Sequence, residues 1–179
     1  MSSANTKLEV QLIKGESNLM WYYAISIPQD IAEQFISEKD KRVICTLPKG
    51  TRFHCALLPM KGAGHYILIN KARRDKEGLR AGEVFEISLE KDTSEYGAPM
   101  SDEFAAVLEQ DELANKLFHA LTPGKQRTLI YYSDNVKSSD IKIRRALVVM
   151  EHLVEMNGDL DYKILGAAIK KANQEANRK

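Results

Sequence analysis

Residues Lys91 to Glu103, "KDTSEYGAPMSDE", mark the point where the periodicity of this chain changes. Just upstream, "EVFEISLEKD" (Glu83 to Asp92) places apolar residues at alternate positions, the period of a half-buried strand. Just downstream, "SDEFAAVLEQ" (Ser101 to Gln110) spaces Phe104, Val107 and Leu108 by three and four, the period of a helix, and Ser101 stands where a cap belongs. A boundary at this stretch divides the chain into residues 1–95 and 96–179.

The strand period extends toward the N-terminus. "LEVQLI" (Leu8 to Ile13) alternates, and "WYYAISIP" (Trp21 to Pro28) is rich in aromatic and β-branched residues. "RVICTLPKGTRFHCALLP" (Arg42 to Pro59) reads as a hairpin about Lys49-Gly50, and "GHYILINKA" (Gly64 to Ala72) adds another run. One helix interrupts them: behind Pro28, Ile31, Phe35 and Ile36 fall at helical spacing. "KEGLRAGEV" (Lys76 to Val84), punctuated by Gly78 and Gly82, reads as a tight helical turn or loop. Five or six short strands and one helix, without a strand–helix–strand rhythm, predict a small barrel or sandwich rather than a parallel sheet.

Toward the C-terminus everything is helical. "DELANKLFHAL", "TPGKQRTLIYYSDNVK" and "SSDIKIRRALVVMEHLVEMNG" follow one another, the last two behind hydroxyl caps and the last ending at Asn157-Gly158. "DYKILGAAIKKANQEANRK" closes the chain as a helix running into a polar tail. In the fourth of these five helices, Ile143, Ala146, Leu147, Met150, Leu153 and Val154 project as one apolar stripe, with Arg144, Arg145, His152 and Glu155 opposite. The fold class is therefore α+β: a small β-barrel followed by an all-helical domain.

With 44% hydrophobic and 28% charged residues, the composition is that of a globular protein. No apolar run approaches the roughly 20 residues of a membrane span, and "MSSANTKLEV" has neither the basic region nor the apolar core of a signal peptide, so a cytoplasmic location is expected. Cys45 and Cys55, the only two cysteines, have no zinc spacing and are too few for a disulfide framework. No metal or cofactor is expected. Net charge is +1, yet residues 116 to 179 carry 12 Lys or Arg against 7 Asp or Glu, a local excess of +5.

Two groups could carry chemistry. A two-residue Lys49-Gly50 turn would set Cys45 opposite His54, a thiol–imidazole pair; a slip to a three-residue loop would set Cys45 opposite Cys55 and remove it. The second group is basic. Lys125, Arg127, Lys137, Arg144 and Arg145 lie on the third and fourth helices, where guanidinium groups could hold a phosphate, a carboxylate or an acidic partner. Arg127, Tyr131 and Asp134 share one side of their helix, so Arg127 either pairs with Asp134 or faces a ligand. "PMKGAGHY" leads into a strand rather than a helix start, which makes it a turn and not a phosphate cradle. Nucleic-acid binding would call for a larger basic excess and interleaved exposed aromatics, of which only Tyr131 and Tyr132 are present.

"LFHALTPGKQRTLIYYSDNVKSSDIKIRRALVVMEHL" resembles the bacteriocin-protection family, also called YdeI/OmpD-associated, through Phe118, Leu121, Pro123, Arg127, Tyr131, Tyr132, Lys137, Arg144 and Arg145. It departs from that pattern at Ile141-Lys142, where many relatives carry Thr-Arg. "WYYAISIP", "GTRFHCALLPMKGAGHYILINKA" and "GLRAGEVFEISLEKD" resemble the small domain of unknown function that often precedes it. That second resemblance implies a double-split β-barrel with one helix; the first implies a link to tolerance of antibacterial peptides and no established reaction.

The leading expectation is a non-enzymatic, cytoplasmic bacterial binding or interaction module in stress or bacteriocin tolerance, its partner a protein or a small anion. The alternatives are an enzyme or binder acting on a small anionic ligand in a cleft between barrel and helices, with Cys45 and His54 as the reactive pair, and a weak nucleic-acid binder using the basic helices.

Overall fold

The computed structural model describes residues 5–16, 21–37, 40–60, 62 and 64–176. The end of the expected polar tail, residues 177–179, lies outside them. Two compact units are formed, residues 1–93 and 94–179.

The first unit is a curled antiparallel sheet. Its strands are β1 (Thr6–Glu16), β2 (Trp21–Ile27), β3 (Arg42–Thr46), β4 (Arg52–Ala56), β5 (Leu58–Pro59), β6 (His65–Leu68) and β7 (Val84–Lys91), in the spatial order β4-β3-β7-β1-β2-β6-β5. β1 serves two partners in succession: Thr6 to Gln11 pair with β7, and Leu12 to Glu16 with β2. The curl has a covalent cause. β4 and β5 occupy opposite edges of the seven-stranded order, yet only Leu57 separates them in sequence, so the sheet must wrap until its edges adjoin. Leu8, Val10 and Leu12 of β1 and Phe85, Ile87 and Leu89 of β7 alternate inward to fill the interior, with Ile25, Ile27, Val43, Ile67 and Leu57.

Two short helices pack on this sheet. Helix α1 (Gln29–Glu33), behind Pro28, contributes Ala32 to the core, with Phe35 just beyond its end. The second, α2 (Lys71–Glu77), falls earlier than the helical turn expected from Lys76 onward. Its signals are Asn70, whose side chain accepts from the amide of Arg73, and Gly78, which ends it in the left-handed region at φ 76°. Arg73 stacks over the Phe53 ring and Arg74 over the Tyr23 ring, at 4.5 and 3.6 Å.

The hairpin register differs from both expectations. Thr46 faces Arg52, Cys45 faces Phe53, Ile44 faces His54 and Val43 faces Cys55. The loop does have three residues, Pro48 to Gly50, with Gly50 at φ 87° and Leu47 N–H donating to Thr51 C=O at 2.9 Å. The slip, however, runs in the opposite sense and brings neither Cys45–His54 nor Cys45–Cys55 together. Glu77 explains why. Its buried carboxylate accepts from the backbone amides of Lys49 (2.7 Å) and Thr51 (3.2 Å), clamping the loop from α2.

The second unit comprises α3 (Asp102–Gln110), α4 (Glu112–Ala120), α5 (Pro123–Asp134), α6 (Ser139–Glu155) and α7 (Tyr162–Ala176). α6 is central, packing against the other four. Phe104 and Phe118 are fully buried with centroids 5.6 Å apart, and Tyr96 meets Phe118 edge-on. Gln126 is buried and donates to Phe118 C=O, satisfying a terminal carbonyl of α4. α6 ends as its Asn157-Gly158 predicts: Gly158 N–H reaches Leu153 C=O, with both residues at positive φ. Among the described residues, no helix is long and apolar enough to cross a membrane.

Burial raises the pKa of Glu77, while hydrogen bonding from Thr51, the backbone amide of Lys49 and the Lys49 charge lower it; the lowering prevails. A depressed carboxylate contributes stability that is present above its unfolded value near 4.5 and lost as pH falls through the lower folded value. Glu77→Gln should therefore cost about 1–3 kcal/mol at neutral pH, and the gap to wild type should close in acid. Urea melts at neutral pH and at about pH 3 check this; an equal gap at both would show that the charge on Glu77 plays no part.

Candidate functional site

The register decides the fate of the thiol–imidazole pair. Cys45 and Cys55 point inward with Val43 and Phe53 and are buried in the barrel core. Desolvation pushes the Cys55 thiol up to about 12 and raises Cys45 further still. His54 lies on the other face, where its Nδ1 donates to Asp92 at 2.9 Å. The Asp92 side chain is fully buried and also draws Arg42, 3.8 Å away. Because β3 lies between β4 and β7, the His54–Asp92 bond ties one edge strand to the end of β7 across an intervening strand. Cys45 and His54 do not meet, and each has a structural task. Among the described residues, no group of three His, Cys, Asp or Glu side chains could hold a metal ion.

The five basic positions are spread along α5, the segment after it and α6. Lys125 lies in the first turn of α5 and Lys137 lies beyond its last residue, so most of a helix about 18 Å long stands between them. Arg127 donates to Tyr96 C=O, not to Asp134; Asp134 instead receives the amide and hydroxyl of Ser101, fixing the start of α3. Arg145 donates to Tyr132 C=O at 3.2 Å and so satisfies a carbonyl of the last turn of α5. Arg144 is half-buried on α6, with Asp140 four residues before it. The aromatic pair divides: Tyr132 is half-buried and stacks on Tyr162, whereas Tyr131 is 63% exposed.

α6 is rotated from its expected facing. His152 is buried and accepts from the Asp161 amide, whereas Ile143 and Leu147, expected in the buried stripe, are 39% and 46% exposed. The side actually buried carries Ala146, Val148, Val149, Met150, His152 and Leu153. The reason is that four helices surround α6, and their combined contacts, rather than its own apolar stripe, set which side is buried.

Ile143 consequently lines an open groove of about 430 Å³ between α3 and α6, with Asp102, Glu103, Ala106, Val107, Gln110 and Ser139. Ser139 does not cap its own helix; its hydroxyl donates to Glu103. That bond, with the Lys142 ammonium 3.6 Å away, holds the Glu103 carboxyl below the usual carboxylate range. One acid thus joins the first turns of α3 and α6 and closes one end of the groove. Ser139 and Glu103 were absent from the sequence-derived candidates because they lie 36 residues apart and neither belongs to a local motif.

Comparison with known families agrees with the resemblance on both halves. Residues 9–89 are similar to the family described as Domain of unknown function (DUF1905), and residues 98–155 to the family described as Bacteriocin-protection, YdeI or OmpD-Associated, in the order expected. A search of the curated proteins returned no match.

The roles of the two adjacent arginines separate by mutation. Arg145→Ala should lower unfolding stability by about 1.5–3 kcal/mol, the range for a hydrogen bond from a charged donor, while Arg144→Ala should change it by less than about 0.5 kcal/mol. Chemical denaturation of both variants checks this. Equal effects would remove the capping role of Arg145.

Proposed function

We propose that this chain is a non-enzymatic binding protein of the bacterial cytoplasm, acting in stress or bacteriocin tolerance by docking a partner on its helical unit. The observation that carries this reading is the distribution of exposed apolar side chains. Of the eight large exposed hydrophobic residues among those described, Leu113, Tyr131, Ile143, Leu147, Tyr162 and Ile164 belong to the helical unit. Single exposed apolar residues are ordinary. Ile143 and Leu147, however, stand one turn apart on the same face, and Ile143 opens onto a formed groove, which is the arrangement of a recognition surface. The family description of residues 98–155 supports the link to bacteriocin protection.

A small anion at the start of α5 is the second reading, favoured by one observation. Thr122 makes no side-chain cap there, and exposed Lys125 and half-buried Arg127 flank that turn. Titration with inorganic phosphate, followed by amide shifts of residues 124 to 127, separates the two readings.

Expression in a peptide-sensitive bacterial strain should raise survival against antibacterial peptides. The double variant Ile143→Lys with Leu147→Lys should abolish that gain. Its melting temperature should stay within about 2–4 °C of wild type, since exposed substitutions rarely cost more than about 0.5 kcal/mol. Full protection by the double variant would overturn the proposed docking surface.

A further inference from the structure

Building on the reading of the helical unit as a docking module, we infer that the groove between α3 and α6 receives a basic amphipathic helix, its apolar side seated on Ile143, Leu147 and Ala106 and its Lys or Arg side chains set against the surrounding acids. Three features select this occupant.

The first is the floor. Ala106 and Val107 of α3 and Ile143 of α6 line the groove, and Leu147 extends the apolar ridge by one turn. Ala106 is small and exposed, so its side of the groove is shallow and leaves room for the occupant's larger anchors. A surface of this kind accepts apolar side chains presented at i, i+3 or i+4, and i+7 from one helical face. The nine residues of α3 span about 13 Å, which matches between two and three turns of such a helix.

The second is the sign of the rim. On α3, Asp102 and Glu109 are exposed at its two ends, and Glu103 closes the groove beside Ser139. On α6, Asp140 and Glu151 are exposed and flank the ridge of Ile143 and Leu147. Three cations belong to this part of α6. Lys142 is held by Glu103, Arg145 donates to Tyr132 C=O, and Arg144 stands one turn from Asp140, so the five acids outnumber the three cations. An acidic helix placed here would meet like charges along both walls, whereas a basic one would find counter-charges at both ends.

The third is the rigidity of one end. Glu103 is fixed by the Ser139 hydroxyl and by Lys142, so the distance between the first turns of α3 and α6 is set before anything binds. A groove already open loses little freedom on occupation, which favours a formed helix as ligand over a segment that must reshape the surface.

The test uses the full chain and three synthetic peptides of about 15 residues, long enough to present a marginal helix in water. One is an amphipathic Leu/Lys sequence, one has the same pattern with Glu for Lys, and one scrambles the Leu/Lys sequence. Binding is read by fluorescence anisotropy and by amide shifts in α3 and α6. The Leu/Lys peptide should bind, more weakly as salt is raised. Ile143→Lys should weaken it about tenfold or more, as expected for loss of a central apolar anchor, and Asp102→Lys should reduce its salt dependence. Binding that is equal for the Glu peptide, equal for the scrambled peptide, or unchanged in Ile143→Lys would overturn the inference. If the Leu/Lys peptide fails to bind while Ile143→Lys with Leu147→Lys still abolishes protection in cells, the docking surface stands and only this occupant is lost.

Discussion

A single residue, Leu57, decides the shape of the first unit. Strands at the two edges of an open sheet are normally far apart, and here those edges are consecutive in the chain. The sheet must curl to bring them together, and the curl gives the alternating apolar residues of β1 and β7 an interior to fill. Leu57 itself is fully buried within that interior. The α2 helix then completes the structure from outside, since its Glu77 fixes the hairpin loop and its two arginines lie flat on aromatic rings.

The second unit is organised on a different principle. Its helices are held at their ends by side chains borrowed from elsewhere in the unit: Asp134 at the start of α3, Gln126 at the end of α4 and Arg145 near the end of α5. Each terminus exposes backbone groups that need partners, and in this unit the partners arrive from neighbouring helices. These cross-connections fix the helices relative to one another beyond what apolar packing alone imposes. Two of the five basic residues, Arg127 and Arg145, donate to carbonyls in this way.

Much of the architecture is legible in the sequence because it rests on local periodicity. The change of period around Lys91 to Glu103 separates strands from helices, and Pro28, Ser101 and Asn157-Gly158 set element ends through backbone preferences that neighbouring residues do not override. The candidate site was far less legible. A hairpin slip of one residue moves Cys45 from beside His54 to beside Phe53, and the clamp that selects the register, Glu77, is 28 residues from Lys49. The facing of α6 depends on how many helices surround it, which a projection of one helix does not contain. Thr122 and Ser138 have the side chains of caps and make no cap bond, and Ser139 spends its hydroxyl on another helix.

The placement of the two cysteines has a practical consequence. Both lie in the closed interior of the barrel, and the helical unit has none. A thiol reagent in solution therefore reaches its target only when the unit that holds them opens, and its rate of reaction reports that opening. The chain carries, without any engineering, a clock for one of its two halves.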